Sequence, residues 1–471
     1  MYLYNSASKK KELFTPLEQG KVRIYSCGPT VYDYAHLGHA RNAIVFDLLH
    51  RVFLTNGYKV QFVKNYTDID DKIINKARSE QKTIEEVSEF FITADEQDIK
   101  DLSLLTSFMR PKATQYIREM TELVQKLLNE NIAYKTSDGI YFDISKDTLY
   151  GSISHRVQED TMQRIKANEE KRNEQDFALW KFELDASISY EAPFGRGRPG
   201  WHTECCAMIK SIFGQAVNGY FIDIHCGGSD LLFPHHENEA TQIRCSEQNE
   251  IAKYWLHNGF VQIDNEKMSK SLGNSFFLKD VLDKFHPEVV RYYLLSSHYR
   301  INFDFSHSGL LEAKKFIDKL YRLKQQVYQI EVGSEYSNEL VLQALSDDLN
   351  ISVALSHIFE YIKTSFEILA NQATTKNERK NKNKEIKGFF VFLQEMLGIG
   401  QCDAYEYFRF GLSPAQIELI QEKVDNRNTL RVQKQFELAD EIKQELITQG
   451  ILLMDTANGT LWEQNNTEEK I

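Results

Sequence analysis

The stretch Tyr25–Asn42, YSCGPTVYDYAHLGHARN, constrains the fold of this chain more than any other feature. Before it, Lys21 to Tyr25 alternates with the two-residue period of a strand. After it, Gly38 to Asn56 repeats with the period of a helix, so the stretch is a strand-to-helix turn. Gly28 and Pro29 break the strand, and Gly38 allows close approach of a backbone or a ligand where the helix begins. Unpaired amides and the macrodipole at a helix start favour an anion, which makes this phosphate-binding geometry. His36 and His39, three apart, fall on one face and offer protonatable donors to the same group. A histidine pair alone has many accidental matches, and two satisfied histidines are the plainer explanation of it.

A second stretch changes that balance. EKMSKSLGN follows the strand-like run Gly259–Ile263 and puts Lys267, Met268, Ser269, Lys270 and Ser271 in one loop. Two lysines and two hydroxyls this close suit a polyphosphate, with each lysine a mobile point charge; a solvated basic loop is the bland alternative. With HLGH more than two hundred residues upstream, the pair resembles the two signature motifs of class I aminoacyl-tRNA synthetases. Leu37 stands where that family usually has Ile, a swap that keeps volume and polarity.

At 471 residues the chain is long enough for about three domains, and a 42% hydrophobic content supports ordinary globular cores. No apolar stretch approaches the roughly 20 residues that span a bilayer. The opening MYLYNSASKKKELF also lacks a long apolar segment, which points to a cytoplasmic protein with no membrane attachment. Six cysteines, with Cys205 and Cys206 adjacent, do not make a disulfide framework, so metal binding or burial is expected of them. A net charge of −12 argues against binding nucleic acid over the whole surface and leaves RNA contact to local patches. The basic run Lys376–Lys387 is one such patch, although a solvated helix face is its commoner meaning.

Lys21–Cys27 and Tyr58–Asn65 read as strands flanking the helix from Gly38, a βαβ unit whose ligands gather at strand carboxyl ends. Thr67 leaves the second strand at that edge and suits a ligand, whereas Asp70 and Asp71 suit a helix start. Thr83–Asn131 is helical by spacing, Ile132–Ile144 is a hairpin around Asp138 and Gly139, and Gln158–Gln175 is a polar segment without period, a mobile surface stretch. PFGRGRPGWHTECCAM then returns the chain to the sheet. A helix to Phe213, a strand Tyr220–Cys226 and the turn GGSDLLFPHHENEA follow, with Asp230 set either to take a ribose hydroxyl or to brace its own turn. Pro287–Ser297, Leu310–Ile330 and most segments to Leu397 are helical, as is Pro414–Glu445, and Gly450–Trp462 is a hairpin around Asn458 and Gly459. The expected fold is α/β: a class I Rossmann-like parallel-sheet core in two halves, 1–116 and 199–305, around an insertion at 117–198. A helical bundle at 306–412 and a small C-terminal domain at 413–471 complete it.

Cys27, Cys205, His235 and Glu239 are scattered, and spacing alone does not unite them; buried thiols and a helical His/Glu pair are the plainer reading. Position in the fold argues for convergence. Cys27 ends the first strand, Cys205 follows the return to the sheet, and His235 and Glu239 are four apart on one helix face. Here the resemblance narrows to the cysteinyl-tRNA synthetase family, whose zinc ligands match in CGPTVYD, GWHTEC and the first His and last Glu of HHENE. Cys206, His236 and Glu237 are neighbours expected to point elsewhere. YGSISHR, DFALWK, GRGRPGWH, VRYYLLSSHYR and ADEIKQELITQGILLMDTANGTLW carry the match over nearly the whole chain. Cys226 stands where many relatives have Gly, and DDLN at Asp347–Asn350 varies a familiar DDFN.

The resemblance implies an enzyme that activates L-cysteine with ATP and then charges tRNA(Cys). It assigns His36, His39, Lys267 and Lys270 to catalysis. It gives ATP, with Mg2+, the same residues together with Gly38, Asp230, Met268, Ser269 and Ser271, and gives the amino acid Gly28, Thr67 and Trp201. One Zn2+ falls to Cys27, Cys205, His235 and Glu239, and a monomer is expected. In the family the C-terminal regions contact the tRNA body and anticodon; Arg427, Arg431 and Lys434 are backbone candidates, and Trp462 is a stacking platform or a core residue. A ligase joining cysteine to an amino sugar has no need of the segment from Pro414 onward, and a non-catalytic zinc and RNA-binding relative would have lost HLGH or KMSKS.

Overall fold

The computed structural model describes residues 1–106, 108–156, 170–263, 266–267, 276–456 and 459–464. Met268, Ser269, Lys270, Ser271 and most of the polar segment 158–175 lie outside the described residues, and Lys267 is described by its backbone alone. The chain divides into two compact units. The first comprises Met1–Leu278, Leu294–Phe305 and Glu339–Leu355; the second comprises Lys279–Tyr293, Ser306–Asn338 and Ser356–Ile471.

The first unit is built on four parallel strands: β1 (Lys21–Ser26), β2 (Lys59–Lys64), β3 (Tyr220–Gly228) and β4 (Glu250–Asn258). Helix α1 (Leu37–Thr55) carries the chain from β1 to β2, which is what makes those strands parallel, as the βαβ pattern predicts. The spatial order is β4-β3-β1-β2. The chain therefore departs to one side of β1 first and returns to its other side nearly two hundred residues later. That reversal is the switch point at which open α/β sheets bind ligands. Ile24, Tyr25, Val63, Ile222 and Ile224 are fully buried, the near-continuous apolar runs of strands covered on both faces.

The chain between β2 and β3 holds helices Asp71–Glu80, Ile84–Asp101 and Ile117–Asn129, then an antiparallel sheet of Ala133–Lys135, Gly139–Phe142, Phe177–Phe182 and Gly197–Pro199. The expected hairpin at Asp138 and Gly139 is present, with Lys135 opposite Ile140. The helical run expected from Thr83 to Asn131 is interrupted. Pro111 has no N–H to continue a helix, and the chain before it extends beside β2 instead, with Lys64 N–H donating to Met109 O and Tyr66 N–H to Pro111 O. Two helices return the chain to the sheet, α2 (Trp201–Phe213) and α3 (Glu237–Glu247).

The second unit is largely helical. Thr375 and Glu378 form a capping box at the start of Lys376–Leu397, so the basic run is the first turns of a helix. Lys376, Lys380 and Lys384 are exposed on it, while Phe389, Phe390 and Leu393 are buried further along. Helices Pro414–Val432 and Phe436–Thr448 pack with the hairpin Ile451–Thr456 and Gly459–Gln464 over Ile420, Val424, Leu446, Ile451 and Trp462. No helix among the described residues is long and apolar enough to cross a membrane.

His50 on α1 is 2% exposed and stacks on Phe62. Burial disfavours its charged form and brings its pKa down to about 4, below the ordinary value. The folded state then binds fewer protons than the unfolded chain below pH 6.5, so stability present above that pH is lost as pH falls toward 4. In denaturant melts, His50→Leu should remove about 2–3 kcal/mol of the stability loss between pH 7 and pH 4.5. An identical loss in the variant would assign the acid sensitivity elsewhere.

Candidate active site

Helix α1 is capped by imidazole. His36 is the N-cap, with extended backbone at φ −96°, and its Nδ1 accepts the N–H of Gly38 at 3.1 Å and of His39 at 3.3 Å. Nδ1 of His39 accepts the N–H of His36 at 3.4 Å, and the two rings stack with centroids 3.7 Å apart. Because each Nδ1 is an acceptor, the proton of each neutral ring sits on Nε2. A Cβ on residue 38 would lie 2.9 to 3.0 Å from the His36 ring, so glycine is what lets that ring fold back over the amides. Asn42, one turn on, donates to Asn258 Oδ1 at 2.9 Å and ties α1 to the end of β4.

The second signature motif is anchored to the first. Leu278 N–H donates to Ala35 O at 2.8 Å and Leu37 N–H to Phe276 O at 3.3 Å, which joins the chain after KMSKS to HLGH. At the other end, the backbone of Lys267 pairs with Gln262.

Cys27, Cys205, His235 and Glu239 converge, all buried. Cys27 Sγ lies 3.8 Å from Cys205 Sγ and 3.7 Å from Glu239 Oε1, and Cys205 Sγ lies 3.8 Å from His235 Nε2. Two sulfurs bound at about 2.3 Å to one tetrahedral zinc stand about 3.8 Å apart, so the thiols have the span of a zinc site, and the S, S, N, O donor set suits that metal. Glu239 Oε1 and His235 Nε2 are 2.7 Å apart and hydrogen-bonded; a metal between them would spread them. Burial opposes the charge on His235, but the Glu239 carboxylate beside it prevails and raises it to about 10. Burial opposes the charge on Glu239 too, and the charges of His235 and His225 outweigh it and hold the carboxyl well below the usual range.

A ring of histidines that sequence reading missed surrounds this cluster. His225 Nε2 lies 2.6 Å from Glu239 Oε2, with its ring stacked on Trp255, and braces the carboxylate from behind. His236 was expected to point away, yet its Nε2 lies 3.4 Å from Cys27 Sγ and its Nδ1 2.8 Å from His257 Nε2, which continues to Ser6 Oγ. His235 and Glu239 meet at 2.7 Å as their four-residue spacing on one helix face predicts, while the chain kinks just ahead of α3 at Phe233, whose backbone is extended, and the next residue, His236, reaches Cys27 as well. Cys27, His225, His236 and Glu239 form a second convergent group. A histidine within the apolar run YFIDIHC was the available signal for His225.

Cys206 and Glu237 do point elsewhere. Cys206 Sγ lies 3.4 Å from the carbonyls of His202 and Glu239, and Glu237 accepts from the N–H groups of Gly151, Ile153 and Ser154. The YGSISHR motif is thus the backbone cradle of a buried carboxylate. Cys226 is buried in β3, with Sγ 3.5 Å from Tyr25 O. Trp201 is 38% exposed and stacks on His235 with centroids 4.1 Å apart, beside the cluster. Thr67 is buried at the sheet edge, with Val31 N–H on its carbonyl and its hydroxyl donating to Glu204 at 3.0 Å. At Gly28 a Cβ would run into the carbonyl of Asn65, so packing already demands glycine there. Asp230 is exposed in the turn after β3, its carboxylate packed beneath Gly228.

Two candidates for RNA contact are corrected. Arg427 is 3% exposed and pairs bidentately with Asp455, which removes its fork from a phosphate; Trp462 is 2% exposed, with Nε1–H on Gln421 and Arg409 over its ring. Both are core residues because the hairpin closes over them. Arg431 also reaches Asp455, at 2.6 Å, but from a half-exposed position.

The family model described as tRNA synthetases class I (C) catalytic domain matches residues 13–315. Among solved structures, Mycobacterium tuberculosis methionyl-tRNA synthetase in complex with methionyl-adenylate is similar in fold, with a TM-score of 0.59 at 13% identity over 84% of this chain and 95% of that one. Agrobacterium radiobacter LeuRS, in a ternary complex with tRNA and LeuAMS, gives 0.60 at 11% identity over 86% and 87%. A class I tRNA synthetase fold is thereby defined. The cysteine–tRNA ligase of Aliarcobacter butzleri is 51% identical over 98% of this chain and 99% of its own length, and that of Helicobacter pylori 47% over 98% and 100%. Within class I, the chain belongs to the cysteine–tRNA ligase family.

Gly38→Ala should push the His36 ring off the amides it caps and cost about 1 kcal/mol of stability, the usual loss for a missing N-cap. Thermal melts of the two proteins measure it, and an unchanged midpoint would show that the ring is not the cap.

Proposed function

We propose that this chain is a cysteine–tRNA ligase that activates L-cysteine with ATP and transfers it to tRNA(Cys). The observation that supports this best is the convergence of Cys27, Cys205, His235 and Glu239 at the same strand edge as the HLGH cap. Cys27, Cys205, His235 and Glu239 would hold the metal. A zinc ion there supplies a preference for sulfur over oxygen, which a pocket relying on shape alone would reach only to about a hundredfold. Trp201, stacked on His235, walls the thiol pocket against water, and Thr67 receives the amino end.

In the first step an oxygen of the cysteine carboxylate attacks the α-phosphorus of ATP. The new P–O bond forms as the bond to pyrophosphate breaks, leaving cysteinyl-adenylate. No protein nucleophile is needed, so positioning and charge stabilisation carry the step. His36 and His39 donate from Nε2, the dipole of α1 favours the same oxyanion, and Lys267 and Lys270 bring mobile charge, to which a bound Mg2+ would add further positive charge. Gly38 keeps the cap open to the phosphates and Asp230 takes the ribose, while Met268, Ser269 and Ser271 complete the set of residues assigned to ATP. In the second step a hydroxyl of the terminal adenosine attacks the acyl carbon and AMP leaves. Phe436, 59% exposed beside Lys434, is the aromatic ring offered to a tRNA base in place of the buried Trp462. We read the enzyme as a cytoplasmic monomer.

Aminoacylation assays with purified tRNA and each amino acid test this reading; charging of any amino acid in preference to cysteine would sink it. Lys270→Ala should lower cysteine-dependent pyrophosphate exchange by about 10² to 10³, near 2.7–4 kcal/mol, with little change in cysteine affinity. Cys205→Ser should lose both bound zinc and the discrimination against serine, measured by metal analysis beside activation of the two amino acids. A variant that kept both would remove Cys205 from the metal site.

A further inference from the structure

Arg41, on the second turn of α1 just after HLGH, is fully buried and takes no part in the chemistry above. Its fork ties two distant stretches of backbone to that helix. Nη1 donates to Gly259 O at 3.0 Å and Phe260 O at 3.3 Å, just past the end of β4, and Nη2 donates to Ser297 Oγ and His298 O, both at 3.2 Å. The guanidinium also lies 5.0 Å from the centroid of the Phe303 ring. Burial lowers its pKa to about 10, which leaves it charged at neutral pH, and no carboxylate among the described residues pairs with it. A buried cation without a counter-ion is costly, and an apolar side chain would fill the space at a lower cost. An apolar side chain would not supply the planar fork that fixes several backbone groups at once.

The stretch that Arg41 holds leads straight into the second signature motif. Val261–Ile263 follows it, paired in parallel with Phe303–Asp304 and antiparallel with Glu266–Lys267, so that Gln262 lies opposite Lys267. The entry to KMSKS is thus one short ladder from the carbonyls of Gly259 and Phe260. The chain after the motif is held at the start of the same helix, through Leu37 N–H on Phe276 O and Leu278 N–H on Ala35 O. On the other side of the fork, Ser297 and His298 belong to VRYYLLSSHYR, and the next two residues of that motif are fixed by Asp348 of DDLN, which accepts from Tyr299 Oη at 2.7 Å and Arg300 Nε at 2.9 Å. Arg41 therefore bonds to a frame that is itself fixed. We propose that Arg41 is a positioning residue for adenylate formation, acting through Lys267 and Lys270: it sets the strand that enters KMSKS against the helix that begins with His36 and His39. Charged groups that close on one triphosphate from two segments need those backbones in register, and a misplacement of about 1 Å can cost about a hundredfold in rate. The proposal rests on the reading that HLGH and KMSKS serve ATP.

Arg41→Met keeps an unbranched apolar stem and removes the fork, and a double-mutant cycle with Lys270→Ala tests whether the fork works through the motif. Alone, Arg41→Met should lower kcat of cysteine-dependent pyrophosphate exchange about tenfold or more, with KM for cysteine and zinc content as in wild type. In the Lys270→Ala background the same substitution should change kcat by less than about twofold, because a group it positions is gone. Arg41→Lys keeps the charge but not the fork; it should show the same pattern, and it carries the test if Arg41→Met does not fold. Equal fold losses in the two backgrounds, or an unchanged kcat in both Arg41 variants, overturn the inference and leave the ligase assignment standing. Lys270→Ala protein that exchanges pyrophosphate as wild type does overturns the reading of KMSKS, and the inference with it.

Discussion

The parallel pairing of β1 with β3 is the constraint on which the rest depends. Ile24, Tyr25 and Ser26 lie opposite Ile224, His225 and Cys226, and the next residue, Cys27, donates its N–H to Cys226 O at 3.1 Å. This short ladder brings together segments nearly two hundred residues apart. It sets Cys27 at the end of one strand beside the turn that follows the other, so His235, His236 and Glu239 meet it without any local sequence motif. The same ladder creates the switch point where the N-terminus of α1 opens. The Cys27–Cys205 cluster and the capped start of α1 are therefore two sides of one strand pair.

Around that pair the structure concentrates buried polar groups that would be costly singly. Glu239 is held at both oxygens, by His235 and His225, and His236 and His257 form a chain out to Ser6. Each ring has its orientation set by the next, so the cluster is preorganised from behind rather than by its own four side chains. His202 extends this frame, with Nδ1 2.9 Å from Nδ1 of His235, and burial holds it neutral, at about 3. Glu237 extends it further by gathering three amides of the YGSISHR loop, which fastens the inserted segment to the start of α3.

What could be read from the sequence follows from the range of each interaction. The βαβ unit, the helix from Trp201 to Phe213 and both Asp/Asn-Gly hairpins depend on period and turn chemistry within a few residues, and they stand where the patterns put them. The kink at Phe233 was not legible, and the four-residue spacing that does bring His235 to Glu239 says nothing of where His236 points. Pro111 did carry a local signal, against helix, that the surrounding period masked. Arg427 and Trp462 looked like ligands for RNA because charge and aromaticity are visible in a sequence, whereas the partners that bury them, Asp455 and Gln421, are set by tertiary packing. The exposure of Phe436 follows from the turn at Lys434, at φ 61°, between two helices, which no local pattern marks.

The cap on α1 shows where stability and chemistry meet in single atoms. Serine or aspartate is the common N-cap and would satisfy the same amides. Aspartate, however, would place a full negative charge at the helix start and would cancel the positive end of the helix dipole, which favours anions. A neutral imidazole caps with Nδ1 and adds no charge, so it satisfies the helix without opposing an anion there. The reciprocal bond from His36 N–H to His39 Nδ1 gives the second ring the same tautomer, and stacking fixes the two in parallel. Glycine at position 38 is required by that geometry, since a side chain there would meet the ring of His36. The motif is thus first a capping box made of imidazoles.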